Sequence, residues 1–343
     1  MENRVVVSID FGTTYSGFAY AHKINNEIIT NDTWPDQIGP LKTNTALQYD
    51  KNFKNVEKWG FPALAKKPKK SKGKSKNQTA SKPVEHFKLH LSNIPDNEKP
   101  VLPKGINYKK AITDYLKCMG KLIKETIAAR WPNVRFMEQV SIILTVPTGF
   151  SDQAKAIMRE CIYEAGLINV KSSEKLQFIT EPEAAAVYCM KVLKEHNLDT
   201  VGTNFLIVDC GNSTVDLTTW HGPISAMFLI GGFSESKYLQ KRIREEFSSK
   251  VKNSNISVPS QPVVASLRGA LEYGLNMKKI KTRRLLRLQI VRHILTVYPF
   301  LGANNYHKSY IVKLEDRITI GTIGTIGSRW YLINDTFPHD LTN

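Results

Sequence analysis

Residues 5–20 read VVVSIDFGTTYSGFAY, and this stretch sets the reading of the whole chain. Val5 to Ile9 is an apolar, β-branched run of the kind that favours strands. Asp10 ends it. Gly12 and the hydroxyls of Thr13, Thr14, Tyr15 and Ser16 follow, and a second apolar stretch begins at Gly17. The pattern predicts a strand, a tight turn and a returning strand. Such a turn presents consecutive backbone N–H groups on one side and can cradle phosphate oxygens, with the hydroxyls adding donors. An acid beside phosphate makes sense if Mg²⁺ stands between them, because Mg²⁺ keeps most of its waters and is held through a carboxylate. Taken alone, the stretch also reads as a plain structural hairpin.

The layout recurs at FLIVDCGNSTVDLTTW, residues 205–220. Apolar Phe205–Val208 leads into Asp209, then Gly211, Asn212, Ser213 and Thr214, and a strand restarts at Val215. Two such hairpins could grip one polyphosphate from both sides, with Asp10 and Asp209 sharing one hydrated metal. A third stretch, MFLIGGFSES (227–236), predicts a strand, a Gly231-Gly232 turn and a helix capped by Ser234. Paired glycines let the backbone approach a ligand closely, and a helix N-terminus favours anions.

The chain of 343 residues is long enough for two domains, and 41% hydrophobic residues can fill sizeable cores. The net charge of +17 is concentrated in two segments. Lys66–Lys82 holds eight lysines and Lys278–Arg292 seven Lys or Arg, neither with an acid; the remainder is nearly neutral. Lys66–Lys82 reads as a solvated loop. A nucleic-acid partner is not expected from it, because no aromatics are interleaved for stacking. Cys118, Cys161, Cys189 and Cys210 form no C-x-x-C pair and read as buried, reduced thiols. No apolar run reaches the length of a membrane span, and the N-terminal run is too short for a signal peptide, so a cytoplasmic protein without a membrane partner is expected.

Periodicity predicts short strands at Val5–Ile9, Gly17–His22 and Glu27–Thr30, with Leu41–Tyr49 continuing that sheet. A helix is predicted from Asn107 to Arg130, stopped by Pro132. Beyond it, Ser141–Val146, Phe178–Thr180, Phe205–Val208 and Ala226–Ile230 read as strands. Helices are predicted from Ser151 to Gly166, Glu183 to His196, Ser234 to Phe247 and Ala265 to Tyr273. This alternation argues for α/β layers. The segment after residue 280 has no assignable role, though its end is β-like.

In this order the three glycine-bearing elements resemble the nucleotide-binding domain of the seventy-kilodalton heat-shock chaperones, within the actin and sugar-kinase ATPase superfamily. TVPTGFSDQAK (145–155), ITEPEAAAVY (179–188) and WPDQIGPLKTNTALQY (34–49) resemble further family segments. The character is closest to the divergent branch called heat-shock protein family A member 12, over roughly residues 4–277. The resemblance implies an α/β, actin-like ATPase (ribonuclease-H-like) two-lobed fold. Residues 1–140 would form the first lobe with its Lys-rich loop 66–82, residues 141–277 the second, and 278–343 an unassigned tail.

The same resemblance implies ATP and Mg²⁺ as cofactors. Asp10 and Asp209 would orient the hydrated metal. Gly12, Thr13, Thr14 and Tyr15 would hold phosphates from one side, and Gly211, Asn212, Ser213 and Thr214 from the other. Lys88 would reach the γ-phosphate, Glu181 would place metal waters or the attacking water, and Asp216 matches a second acid of the second hairpin. Gly231, Gly232, Phe233 and Ser234 match the adenosine motif. Pro147 and Lys155 match positions that pass the nucleotide state to the surface.

The sequence also departs from the family. A whole subdomain that clamps the adenine is expected between Asp216 and Gly231, where residues 220–223 stand like a scar. Asn212-Ser213 replaces a Gly-Gly pair, Val263 stands where many members have an Asp, and no substrate-binding domain follows. The expectation is therefore a chaperone-related, ATP-binding protein with weak affinity and weak or lost hydrolysis. Unfolded clients or co-chaperones are its implied partners. The alternatives are a non-catalytic scaffold or pseudo-ATPase, and a truncated gene product without function.

Overall fold

The computed structural model describes residues 4–65, 81–195, 205–211, 215–219, 225–251 and 255–277, and four further strands between 295 and 335. They fall into two compact units, Met1–Ala184 with Ser266–Lys279, and Ala185–Ala265 with Ile280–Asn343.

In the first unit, β1 (Val5–Phe11) is buried along its whole length. This explains why its apolar residues run on instead of alternating with polar ones. It pairs antiparallel with β2 (Tyr15–His22), with Gly17 opposite Asp10. Outside β2 lies β3 (Ile29–Thr30). On its other side β1 runs parallel to β4 (Val140–Val146), which sets Asp10 beside Thr145, and β4 runs parallel to β5 (Leu176–Thr180). The order is β3-β2-β1-β4-β5.

Helix α1 (Tyr108–Arg130) starts where the Asn107 side chain accepts a bond from the Lys110 amide at 2.8 Å. Its Ile112, Tyr115, Leu116, Met119, Ile123 and Ile127 recur at helical spacing and join Val5, Val7 and Ile9 in one core. Helix α2 (Asp152–Glu164) is capped by Ser151, whose hydroxyl accepts from the Ala154 amide at 3.1 Å. Helix α3 (Glu181–Glu195) follows β5 directly.

The second unit repeats the plan. Strand β6 (Phe205–Cys210) pairs antiparallel with β7 (Val215–Thr219) and parallel with β8 (Ala226–Ile230), which pairs with β9 (Ile256–Ser257). Asp209 lies opposite Asp216, as Asp10 lies opposite Gly17. It lies beside Ile230 on the parallel side, as Asp10 lies beside Thr145. The register of the first hairpin is thus reproduced position for position. Helix α4 (Lys237–Phe247) completes the repeat, whereas α5 (Ala265–Asn276) belongs almost entirely to the first unit. The α/β layering expected from the alternation of strands and helices is the one these elements form.

Three expectations change. Strands β4 and β5 hydrogen-bond into the first sheet, so the division between units falls after residue 184 and not at 140. Only Thr43–Asn44 of the 41–49 stretch joins that sheet. Ala46–Tyr49 forms a small separate sheet with Val56–Trp59 and Val84–Glu85. The helix expected from Ser234 starts later: Gly232–Glu235 is a 3₁₀ turn and α4 begins at Lys237. Most of the Lys-rich loop, residues 220–224 and residues 278–294 lie outside the described residues. In the tail, Leu295–Leu301 pairs with Lys308–Leu314 and Ile320–Ile326 with Arg329–Asp335, each as a separate hairpin. No helix among the described residues is long and apolar enough to cross a membrane.

Met119 is fully buried at the centre of the α1 face. Truncating it to alanine removes that packing and leaves a cavity. Met119→Ala is expected to cost about 2–5 kcal/mol of first-unit stability, read from the urea midpoint.

Candidate phosphate site

The turn of the first hairpin is built from Gly12, Thr13 and Thr14. A Cβ on Gly12 would collide with the carbonyl oxygen of Tyr15, so the chain can turn here only with glycine. The turn is braced from the segment after β3. The Thr45 hydroxyl donates to the Gly12 carbonyl at 2.9 Å and lies 2.7 Å from the Ser16 hydroxyl. The Thr45 amide donates to the Thr14 carbonyl at 2.8 Å. Tyr115 on α1 fixes this brace in turn, its hydroxyl donating to the Asn44 carbonyl at 3.0 Å. Thr13 and Thr14 are left half-exposed and Tyr15 exposed at the tip.

Asp10 sits at the root of the turn and is only 6% exposed. Its Oδ2 accepts from Lys42 Nζ at 2.6 Å and its Oδ1 from the Thr145 hydroxyl at 3.0 Å. Burial pushes this carboxyl up, but the Lys42 ammonium, the charge of Lys88 and the Thr145 bond outweigh burial and hold it below the usual carboxylate range. Lys88 is buried on a 3₁₀ turn, Phe87–Leu91. Its Nζ lies 3.1 Å from Glu181 Oε1 and 5.7 Å from the ring centroids of both Phe11 and Phe150. Two aromatic faces and one carboxylate therefore compensate its desolvation. Glu181 opens α3, where Glu183 Oε2 accepts from the Thr180 amide at 3.0 Å and its hydroxyl at 2.8 Å.

The structure thus brings together Asp10, the Gly12–Thr14 turn, Lys88 and Glu181. It adds Lys42, Thr45 and Thr145, which sequence reasoning missed. Lys42 stands 32 positions from its partner, and nothing local marks it. The charges are balanced, two ammonium groups against two carboxylates. Both oxygens of Asp10 are engaged, and no cluster of three or more His, Cys, Asp or Glu among the described residues could hold a metal. These residues suit an anion bearing several oxygens. As they stand, they do not fit a Mg²⁺ held by Asp10.

In the second unit, Gly231 has φ +85°, and a Cβ there would collide with Asp209 Oδ1 and the Cys210 carbonyl. The turn after β8 therefore packs against the root of the second hairpin as only glycine can. Gly231 donates to the Pro262 carbonyl at 2.9 Å. Ser234 is fully buried and donates to the Ile230 carbonyl at 2.6 Å. It is a brace of the turn, and the α4 cap is Ser236, which accepts from the Leu239 amide at 3.4 Å. Gly231, Gly232 and Phe233 are half-buried around that turn, and Gly211 is half-buried at the end of β6. Asn212, Ser213 and Thr214 lie outside the described residues, and Asp216 is described only through its place in β7. Pro147 accepts from the Phe150 amide at 3.1 Å, and Lys155 pairs with Asp152 at 3.5 Å on α2.

The four cysteines are free thiols, three of them buried and Cys118 half-buried. Burial, with the charge of Asp209 adding to it, pushes Cys189 and Cys210 up to about 12. A thiol held protonated in the fold ionises first in the unfolded chain. Its contribution is fully present below the unfolded value of about 8.5 and is lost as pH rises toward the folded one. Stability of the second unit is expected to fall steadily between about pH 8.5 and 11. Cys189→Ala/Cys210→Ala should flatten that fall, as read from urea midpoints at each pH.

Compared with known proteins, the chain is 28% identical over 207 residues to heat shock 70 kDa protein 12B of Homo sapiens, a match covering 58% of this chain and 30% of that protein. It is 29% identical over 201 residues to heat shock 70 kDa protein 12A of Mus musculus, covering 55% of this chain and 29% of that protein. The chain therefore spans under a third of the length of these curated relatives. No family model matches it. Among solved structures it is similar to a non-polymerising MamK mutant bound to AMPPNP, at 11% identity and a TM-score of 0.46, covering 79% of this chain and 99% of that one. It is also similar to the apo ParM protein of psk41, at 12% identity and a TM-score of 0.43, covering 81% and 99%. Both scores lie below 0.5, and nothing about function follows from them. Over more than half its length the chain is thus similar in sequence to heat shock 70 kDa proteins 12A and 12B, the heat-shock-70 branch to which its motifs pointed.

Proposed function

We propose that the chain binds ATP in the manner of a heat-shock-70 nucleotide-binding domain and that its hydrolysis is weak or lost. One observation carries this reading: a glycine-closed, hydroxyl-tipped turn standing at the end of β1 beside the buried Lys88–Glu181 pair. Threonine hydroxyls and a desolvated ammonium group are suited to phosphate oxygens, and water exclusion strengthens their attraction. The register match at Asp209 supports a second hairpin of the same kind.

The low affinity follows from the short connection between β7 and β8, residues 220–225. We read it as the place of the missing adenine-clamping subdomain. Binding energy from remote parts of a substrate supports positioning at the reacting centre, so its loss weakens turnover as well as affinity. The Lys42–Asp10 ion pair favours a second reading, a pseudo-ATPase that keeps nucleotide as a structural ligand. A chaperone-related role, with unfolded clients or co-chaperones as partners, is drawn from the resemblance, and a cytoplasmic location from the sequence's lack of a membrane span and signal peptide.

Thermal unfolding with and without ATP tests the binding, because a ligand of the folded state must raise the midpoint. Wild type is expected to shift at millimolar ATP and Lys88→Ala to shift far less. An unmoved wild-type midpoint at saturating ATP would sink the nucleotide reading, and submicromolar affinity would sink the weak site. Phosphate release at the ordinary enzymatic rate of about 10 s⁻¹ would refute lost hydrolysis.

A further inference from the structure

We infer that Lys42 is a built-in cation of the phosphate site. Its ammonium engages the Asp10 carboxylate that a divalent ion would need, so phosphate is met by lysine charge and its binding does not depend on Mg²⁺. The inference rests on the reading that phosphate binds at this hairpin.

Three observations support it. The Lys42–Asp10 contact is short, at 2.6 Å, and largely withdrawn from water, with side-chain exposures of 17% and 8%. A charge pair so placed is far less screened than one on the surface. The lysine is also held in place. Thr43, next to it, is fully buried, pairs with Ser16 across to β2, and its hydroxyl accepts from the Phe61 amide at 3.2 Å. The third observation is Gly17. It lies opposite Asp10 in the hairpin, and a Cβ there would stand 3.0 Å from Lys42 Cγ and 3.0 Å from the Leu41 carbonyl. A side chain at position 17 would crowd the stem of Lys42, so glycine there leaves the room through which the ammonium reaches the carboxylate.

The charge balance points the same way. Asp10 and Glu181 are matched by Lys42 and Lys88, so each carboxylate a bare dication would meet here already holds an ammonium partner. A polyphosphate meets two ammonium groups.

Two measurements on the full chain test this: Mn²⁺ binding in the absence of nucleotide, by electron paramagnetic resonance, and ATP binding by calorimetry in EDTA and in excess Mg²⁺. The variants are Lys42→Gln, Lys42→Arg, Asp10→Asn and the Lys42→Gln/Asp10→Asn double. Removing one partner of a buried charge pair is expected to free the other, so Lys42→Gln should bind Mn²⁺ at least about tenfold more tightly than wild type, and the double variant should lose that gain. Lys42→Arg, which keeps the charge beside Asp10, should not show the Mn²⁺ gain of Lys42→Gln. Wild-type ATP affinity should change by less than about threefold between EDTA and Mg²⁺, whereas Lys42→Gln should lose about tenfold or more in EDTA alone. Equal Mn²⁺ binding by wild type and Lys42→Gln overturns the role of the lysine. So does wild-type Mn²⁺ binding that Asp10→Asn abolishes, which holds even if Lys42→Gln fails to fold. Wild-type ATP binding that collapses in EDTA overturns it as well. Absence of ATP binding in every condition fails the nucleotide reading instead, so the two failures are read separately.

Discussion

A carboxylate buried at the end of a central strand cannot stand without positive charge around it. Asp10 is in that position because β1 runs between β2 and β4 in the middle of a sheet. Leaving such a charge unpaired is strongly destabilising, on the order of 3–5 kcal/mol. The surroundings answer this need from parts of the chain far apart in sequence. Lys42 arrives from the segment after β3 and Thr145 from the end of β4, while Lys88 lends its charge from a 3₁₀ turn. The brace through Thr45, Ser16 and Tyr115 then holds the turn above that carboxylate. The turn, the charge and the helix α1 beneath are thus one cooperative piece of structure.

The two units show the same solution carried to different lengths. In both, an acid sits one position before the end of the first strand and faces the residue seven places on. In the first unit, residues 23–139 stand between the returning strand and its parallel neighbour. They supply Lys42, Thr45, Lys88 and α1, which are the parts that neutralise and brace. In the second unit that interval is residues 220–225. Asp209 lies instead against the glycine turn at Gly231, and its charge is felt by two buried thiols.

How much of this could be read in the sequence depends on the range of the interaction. Both hairpins, Gly12, Gly231 and the helices at 108–130 and 152–164 announced themselves, because turn chemistry, capping and apolar periodicity act between near neighbours. The α/β class followed from their alternation. The strands expected at 141–146 and 178–180 join the first sheet and not a second lobe, because the pairing of β4 with β1 acts over 135 positions of chain and leaves no local mark. The sequence pattern places the cap at Ser234, whereas the helix is capped by Ser236. The left-handed Gly231 and the 3₁₀ turn after it decide between them, burying the first and freeing the second. Lys88 was found only through resemblance, and Lys42 not at all, since no local pattern tells a charge that will be buried from one that stays in water.

The shortened interval leaves its mark on β7. In the first sheet, β3 and Thr43–Asn44 cover the outer side of β2. Among the described residues no strand pairs with the outer side of β7. Its sequence, VDLTT, carries one charge, no proline and no lysine. A rim of unsatisfied amides and carbonyls on such a strand is a template for any extended chain that meets it. The second unit therefore presents at β7, among its described strands, a border of the kind along which another extended chain can add.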